Sequence, residues 1–503
     1  MMTGTPLAES TTAARAATRV RALLLDSGFT TDGVLARVGS EAFAALGRGL
    51  VVPIRRALAE RPSDGLLDVL VHAFLLGAPV PAGVLPVEAE ADLLALGMLR
   101  REGDLLVPEV EVHPYGETDT DWYIASDVGG PVRPDHVLGL GGASVTLARI
   151  TPRRDCGRAL DLGCGAGVQV LHAARHATRV VATDTNPRAL ALTALTAALS
   201  GIPSEQLDLR AGSLYAPVSD ERFDLVVSNP PFVISPSHQF TYRDAGLPGD
   251  ELSRLVVRGA AAHLAPGGMA AVLGNWLHVT GEDWTDRVAS WVAGTGVSGW
   301  IVERDSQSVA DYAATWLRDA AVPEGPEFDE AMGRWLDAFA DEAAHEVGFG
   351  WVILVAPEAA GDPTWVHVED LSGSPRLPRG DEVLALLAGC ARLEALPATA
   401  LLASRAHLAQ GATVAATTHV VAGGQVPAPP QLGLAGSVGP GGWRPNVTVA
   451  PALVAALLGD PSIPLGERLD AAALAEGLDP LDVLGVSLMG LRELVRLGIV
   501  RTD

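Results

Sequence analysis

Apolar and polar positions change rhythm along the chain. From about residue 15 to 110 the spacing is helical. Leu66, Leu67, Val69, Leu70, Val71, Phe74 and Leu75 predict a strongly apolar helix, which Pro79 and Pro81 end. Residues 89–99 predict a second helix. Arg100-Arg101-Glu102-Gly103-Asp104 then reads as a tight turn into a strand at Leu105-Leu106-Val107. Helix, helix, turn and strand is the order of a winged-helix module, a unit that packs at least as often as it reads nucleic acid. From 158 to 303 short apolar runs alternate with helical stretches, the pattern of a parallel α/β sheet. The expected strands are 158–162, 179–183, 207–211, 223–227, 269–274 and 299–303. A seventh, 350–356, follows a helical insertion that carries Trp316 and Trp335.

Beyond residue 360 the rhythm weakens. Strands are expected within 365–455, with a Gly/Pro-rich stretch at 423–442, and two helices are expected in the last forty residues. The expected organisation is therefore 1–112, a helical and winged-helix-like domain; 113–360, an α/β domain with a Rossmann-like seven-stranded sheet and an insertion at about 305–346; and 361–503, an α+β extension with a small helical module at 465–503.

Composition narrows the class of protein. The 503 residues are 48% hydrophobic and 19% charged, which suits a globular fold rather than a disordered one. The net charge is −24, and every basic residue is arginine. That balance argues against broad nucleic-acid binding, which draws its affinity from phosphate contacts, but leaves room for a local arginine patch. Cys156, Cys164 and Cys390 are too few and too scattered for a disulfide framework or a zinc site, so no metal is expected. The N-terminal residues lack the apolar core of a signal peptide, and no apolar run is long enough to span a bilayer. A cytoplasmic location is the expectation, and the sequon at Asn446 is expected to be accidental.

Candidate chemistry gathers at the ends of three expected strands. The first runs into Asp161-Leu162-Gly163-Cys164-Gly165-Ala166-Gly167, where Gly163, Gly165 and Gly167 permit a sharp turn and a close ligand approach. The second ends in Asp184, placed to accept both hydrogens of a ribose diol. The spacing is G-x-G-x-G rather than G-x-G-x-x-G, and Asp161 stands two residues ahead of the first glycine. An acid there suits a cationic ligand better than a pyrophosphate. S-adenosylmethionine, with its α-ammonium and sulfonium, fits. The plain alternative is that Asp161 only caps the turn.

The fourth strand stops at Asn229-Pro230-Pro231-Phe232. Two prolines offer carbonyls but no N–H donors. The side-chain carbonyl of Asn229 and the backbone carbonyl of Pro230 would accept from the two N–H bonds of a planar NH₂. That favours a tetrahedral nitrogen with an available lone pair as positive charge develops. Phe232 would stack on the planar group. The bland alternative is a strand terminator with a core phenylalanine.

With these residues the chain resembles class I S-adenosylmethionine-dependent methyltransferases. More narrowly it resembles the amino-methyltransferases with an Asn/Asp-Pro-Pro-aromatic motif, which include the HemK-type glutamine methyltransferases, the small-domain ribosomal RNA enzymes and the adenine-N6 enzymes. The resemblance covers about residues 115–356. It extends to the turn Leu264-Ala265-Pro266-Gly267-Gly268 and to Asp135–Leu147, where the family has a helix over the methionine end of the cofactor. It implies S-adenosyl-L-methionine bound by Asp161, Gly163, Gly165, Gly167, Asp184 and Asn229, with Asn229, Pro230, Pro231 and Phe232 at the reacting nitrogen. The family often holds the adenine amine with an acid after the third strand. Here Gly212-Ser213-Leu214-Tyr215 stands there, and Ser213 or a backbone group takes that place. Phe232 replaces the tyrosine of HemK-type enzymes, and Val233 the histidine often found in the ribosomal RNA branch.

The implied activity is methylation of a planar NH₂, first of all a protein glutamine amide, with a translation-related protein as partner. An exocyclic amine of an RNA or DNA base is the alternative, and a non-catalytic cofactor-binding scaffold a second. No membrane partner is expected. Secondary candidates are Tyr115, Trp122 and Tyr123 as part of a lid, Trp276 near the pocket, His345 and Glu346 at a substrate entrance, and Gly246–Asp250 as a flexible substrate loop. For the aromatic residues packing is at least as good a reading, and for His345 and Glu346 a helix-end pair is the better one.

Overall fold

The computed structural model describes residues 11–63, 65–117, 120–129, 133–236, 246–372, 376–415, 418–421, 424–427, 430–434 and 447–502. Asn446 of the sequon and most of the stretch 423–442 lie outside them.

The central sheet contains all seven expected strands: β1 Cys156–Leu162, β2 Ala177–Asp184, β3 Leu207–Ala211, β4 Phe223–Ser228, β5 Leu264–Val279, β6 Ser298–Ser308 and β7 Ala344–Val355. An eighth, β8 Val366–Asp370, extends it. The order is β3-β2-β1-β4-β5-β7-β6-β8. Strand β7 runs antiparallel to both β5 and β6, and β8 runs parallel to β6. Strand order reverses between β1 and β4, so the crevice for a ligand opens at the carboxyl ends of those two strands.

Strand lengths depart from expectation where sheet meets site. β5 pairs with β4 only as far as Val272 opposite Ser228, then continues to Val279 beside β7. At about 3.3 Å per residue, β5, β6 and β7 rise well above the edge at which β4 stops. The insertion consists of the helices Val309–Asp319 and Pro326–Asp341, which pack Tyr312, Leu317, Phe328, Trp335 and Phe339 against Val233, Ile234 and Leu277.

The N-terminal part follows the expected order, with the helices Leu66–Phe74 and Val87–Ala95 and the hairpin Leu99–Glu102/Leu105–Pro108; Val80–Pro81 adds a third strand. The helix 87–95 is acidic, and its Glu90 and Asp92 are buried and paired with Arg101 and Arg19. A groove-reading helix presents basic or neutral residues to phosphate, so this one is a packing element. The hairpin Val110–Glu117/Thr120–Asp127 then lies against the helix Pro187–Leu199. Tyr123 N donates to Ser200 Oγ at 3.0 Å and Ala125 N to Thr196 Oγ1 at 2.9 Å. Leu24, Phe29, Phe74 and Tyr123 share one core with Leu192, Leu195 and Leu199. Tyr115, Trp122 and Tyr123 are therefore interior rather than a lid: Trp122 and Tyr123 are buried, and the Tyr115 hydroxyl meets His172 Nε2 at 2.9 Å.

At the other end, the helices Gly380–Ala395, Pro451–Leu458, Leu465–Ala475 and Pro480–Arg496 close over the sheet. Their Val383, Leu386, Cys390, Leu453 and Leu494 join Leu147, Ile150, Trp300 and Trp351 in one core. The helical module thus begins at 451 rather than 465, and strand Val500–Arg501 returns to pair with His407–Leu408.

Candidate functional site

Register brings the expected site residues together. Leu162 of β1 stands opposite Thr183 of β2 on one side and Ser228 of β4 on the other. The residues that follow, Gly163, Asp184 and Asn229, leave three adjacent strands at one level, each strand about 4.8 Å from the next. Ser228 fixes that level, since its buried hydroxyl donates to Leu162 O at 2.8 Å.

The glycine loop has the backbone that its composition requires. Gly163, Gly165 and Gly167 have φ of 76°, 53° and 82°, a region L side chains enter only at a cost. A Cβ on Gly167 would also meet Thr193 at 3.1 Å, whereas Gly163 and Gly165 face open space. Thr193 donates to Gly165 O at 2.9 Å and ties the loop to the helix 187–199. Gly165 N donates to Asp184 Oδ2 at 3.0 Å, and Asn186 N to Asp184 Oδ1 at 2.8 Å. With a backbone bond from Thr185 as a third, the carboxylate is held at the mouth of the loop and keeps one of its roughly four lone-pair sites for a ribose hydroxyl. Cys164 is buried against Thr193 with its thiol pKa pushed up by burial, so it is a turn residue and not a nucleophile.

Asp161 is buried, 1% exposed, and its Oδ2 has no hydrogen-bond partner among the described residues. Burial first, and the neighbouring Asp184 second, push its pKa up to about 8; a bond from Val170 N opposes them. A turn-capping acid would have both oxygens satisfied and its pKa lowered. An unsatisfied carboxyl beside a second acid is instead a place for a cation. Asp161 could hold the α-ammonium of S-adenosylmethionine and Asp184 its ribose, with the glycine loop giving the backbone approach between them.

Asn229 is half-buried. Its Nδ2 donates to Ser144 Oγ at 3.3 Å, and its Oδ1 is buried without a partner among the described residues. Pro230 is buried, Pro231 and Phe232 are half-buried, and Phe232 packs between the main core and the insertion. The chain beyond is pinned by the insertion: Ile234 N donates to Tyr312 Oη at 3.0 Å, and so does Asn275 Nδ2 at 3.1 Å. Ser213 occupies the turn after β3, exposed, where its carbonyl accepts from Ala216 N at 3.2 Å.

Several expectations need correction. Residues 135–141 are not helical, and the covering helix runs from Gly142 to Ile150. Asp250 is not in a flexible loop: it is buried, accepts from Arg287 at 2.7 and 2.9 Å, and accepts from Leu277 N at 3.0 Å. Trp276 instead keeps its core-packing reading, fully buried and donating to Glu303 Oε2 at 2.7 Å. His345 and Glu346 flank His278, which bonds the same Glu303 oxygen at 2.7 Å, in a cluster high on β5–β7. Ser144, Gln169, Thr193 and Tyr312 were missed. They lie on helices of ordinary composition, and no local signal marks them.

Residues 140–277 match a family described as methyltransferase small domain, and residues 26–110 match a domain of unknown function, DUF7059. The central domain is thus similar to methyltransferase small domains over residues 140–277. In curated relatives the same region is 34% identical over 131 residues to a release factor glutamine methyltransferase of Xylella fastidiosa, covering 24% of this chain and 47% of that one. It is 32% identical over 136 residues to a ribosomal RNA small subunit methyltransferase C of Escherichia coli, covering 27% and 35%. The chain thus spans less than half the length of the relatives it matches. A solved S-adenosylhomocysteine complex of a methyltransferase from Thiobacillus denitrificans shares 17% identity over 42% of this chain and 90% of that one, with a TM-score of 0.25. The strand order and the antiparallel β7, rather than that overlap, establish the class I fold of the methyltransferase domain. Among the described residues no three His, Cys, Asp or Glu side chains form a group able to hold a metal, and no helix is long and apolar enough to cross a membrane.

Proposed function

We propose that the chain transfers a methyl group from S-adenosylmethionine to a planar NH₂ nitrogen, and that the acceptor is a glutamine side-chain amide in a protein. The observation that carries the reading is the buried Oδ1 of Asn229, without a partner among the described residues, at the carboxyl end of β4 and level with the glycine loop and Asp184. Bound there, S-adenosylmethionine supplies an electrophilic methyl on a positively charged sulfur. Asn229 Oδ1 and the Pro230 carbonyl accept from the two N–H bonds of the incoming amide, and both bonds strengthen as the nitrogen gains positive charge. The prolines place no donor beside that charge. Phe232 offers a ring face to the planar group. The carbon–nitrogen bond forms as the carbon–sulfur bond breaks, the electron pair stays on sulfur, and the proton leaves nitrogen afterwards.

Charge favours a protein acceptor. The insertion that packs on Val233 and Ile234 exposes Asp311, Asp319, Glu324, Glu327, Asp329, Glu330, Asp337 and Asp341 against Arg318 and Arg334. A polyphosphate strand would be repelled there. The second reading, an exocyclic amine of RNA, has in its favour Phe232 in place of tyrosine and the likeness to ribosomal RNA methyltransferase C.

Tritiated-methyl transfer from labelled cofactor into a cell lysate, followed by protease or RNase, separates the two. Label lost to protease and resistant to RNase supports the amide, and the reverse result sinks it. Asn229→Ala is expected to lower transfer about 10²–10³-fold while cofactor binding by calorimetry persists. An unchanged rate would remove the reading.

A further inference from the structure

Residues 133–141 form a strap without helix or strand between the hairpin that ends at Asp127 and the helix Gly142–Ile150. Near its start, Asn186 Nδ2 donates to Asp135 O at 2.8 Å, two residues from the ribose acid Asp184. Just past its end, Ser144 touches the side chain of Asn229. Asp184 and Asn229 lie at the carboxyl ends of β2 and β4, with β1 and its glycine loop between them. The strap therefore crosses the carboxyl ends of all three strands. Two strand spacings are about 10 Å, whereas the nine residues from Asp135 to Ser144 reach about 30 Å when extended. That excess lets the strap arch over a ligand in the cleft.

Its two halves are held differently. Val137 is buried, its N–H donates to Asp127 Oδ2 at 2.8 Å, and its carbonyl accepts from Asp127 N at 3.1 Å. Arg188, in the first turn of the helix Pro187–Leu199, donates to the same carboxylate at 2.5 Å. The next residue, Leu138, is 51% exposed. Among the described residues, Leu138, Gly139 and Leu140 make no hydrogen bond.

We propose that Asn186 is a positioning residue that latches this strap over the cleft and slows release of the cofactor; this rests on the S-adenosylmethionine reading of the site. Its backbone N–H donates to Asp184 Oδ1 at 2.8 Å, its side-chain Oδ1 accepts from Arg188 N at 2.9 Å as the helix N-cap, and its Nδ2 holds Asp135 O. The two backbone partners fix the orientation of the amide, because an N–H only donates and a carbonyl only accepts. One residue thus joins the carboxylate that receives the ribose to the segment that covers it. A ligand that steadies Asp184 steadies the strap, and by linkage a latched strap holds the ligand more tightly. Covering segments of this kind also set the rate of release.

The test removes the latch and keeps the cap. In Asn186→Ser the hydroxyl is a comparable N-cap and the backbone N–H remains, but the shorter side chain brings no donor to Asp135 O. S-adenosylhomocysteine is expected to dissociate at least about threefold faster by surface plasmon resonance, the scale of one neutral hydrogen bond. Hydrogen-exchange mass spectrometry gives a readout that needs neither acceptor nor activity. In the wild type, S-adenosylhomocysteine is expected to protect the amides of 133–141. In Asn186→Ser that protection is expected to be lost, while exchange in the helix Pro187–Leu199 and the Tm stay unchanged. Asn186→Ala removes cap and latch together and is expected to speed exchange in the helix as well. An unchanged release rate in Asn186→Ser, retained protection of the strap, or a loss of protection equal in strap and helix would overturn the proposal. Failure of the wild type to bind S-adenosylhomocysteine would instead overturn the cofactor reading. The unliganded protein then still tests the latch: faster strap exchange in Asn186→Ser supports it, and equal exchange sinks it.

Discussion

The carboxyl group of Asp161 is held where its charge is disfavoured. Burial and Asp184 raise its pKa from the usual carboxylate range to about 8, so the folded protein binds a proton there that the unfolded chain has lost at neutral pH. For an acid shifted upward, the favourable contribution to stability is present at low pH and is lost as pH rises from about 4 to about 8. Asp161→Asn removes the titration and keeps the shape. It is expected to raise Tm by several degrees at pH 8 and by less at pH 5, read by scanning calorimetry, and to weaken cofactor binding at least tenfold. The wild type should bind the cofactor more tightly as pH rises, roughly tenfold per unit between pH 6 and 8, and release a proton on binding below pH 8. Isothermal calorimetry in buffers of different ionisation heat measures both, and flat affinity across that range would detach Asp161 from the ammonium. At this scale the sequence was informative wherever a residue broke a local rule. An acid before a glycine loop and two prolines after an apolar run are such breaks. Ser144 and Gln169 break no rule, since a serine and a glutamine near helix starts are unremarkable, and only the contact between them across 25 residues draws them to the site.

At the scale of elements, the seven strands could be read because each is a short apolar run between polar stretches. Their lengths could not, because the continuation of β5 into Asn275, Trp276, Leu277 and His278 depends on partners supplied by β7 some 70 residues later. The insertion follows the same logic. Its helices looked like an appendage, yet Tyr312 places its hydroxyl between Ile234 N and Asn275 Nδ2. It therefore fixes the exit of the Asn-Pro-Pro-Phe segment. Tyr312→Phe would leave two buried donors without an acceptor, at a cost of about 1–3 kcal/mol. The expected result is a lower denaturation midpoint together with a fall in kcat greater than the change in cofactor affinity. Equal stability with full activity would show that the segment holds its place unaided.

For the molecule as a whole, the boundaries expected at 112 and 360 do not divide it into independent cores. Arg21 donates to Leu199 O at 2.7 Å and to Asp121 O at 3.1 Å, sewing the first helix to the hairpin and to the methyltransferase domain. Strand β8 adds to the sheet beyond residue 360, and the helix Gly380–Ala395 sits so close that a Cβ on Gly380 would meet Thr151 O at 2.1 Å. Domain seams are read in sequence from changes of composition, and both cores here are built from the same Ala, Leu and Val on either side of each seam. Removal of residues 1–127 would bare Leu192, Leu195 and Leu199, so the truncated chain is expected to aggregate in size-exclusion chromatography. The full chain is expected to unfold in a single calorimetric transition. Separate transitions, or a soluble truncated chain with native cofactor affinity, would restore independent domains.

The shared core also sets an order of events during synthesis. Leu147, Ile150, Trp300 and Trp351 are made long before Val383, Leu386, Leu453 and Leu494, which cover them. At about 5–20 residues per second on the ribosome, the last hundred residues or so take roughly 5–20 s. Throughout that interval the glycine loop and the Asn-Pro-Pro-Phe segment already exist, on a sheet with one face still bare. The nascent chain thus passes through a stage in which that core lacks its cover, and a chaperone has its best opportunity to engage it there.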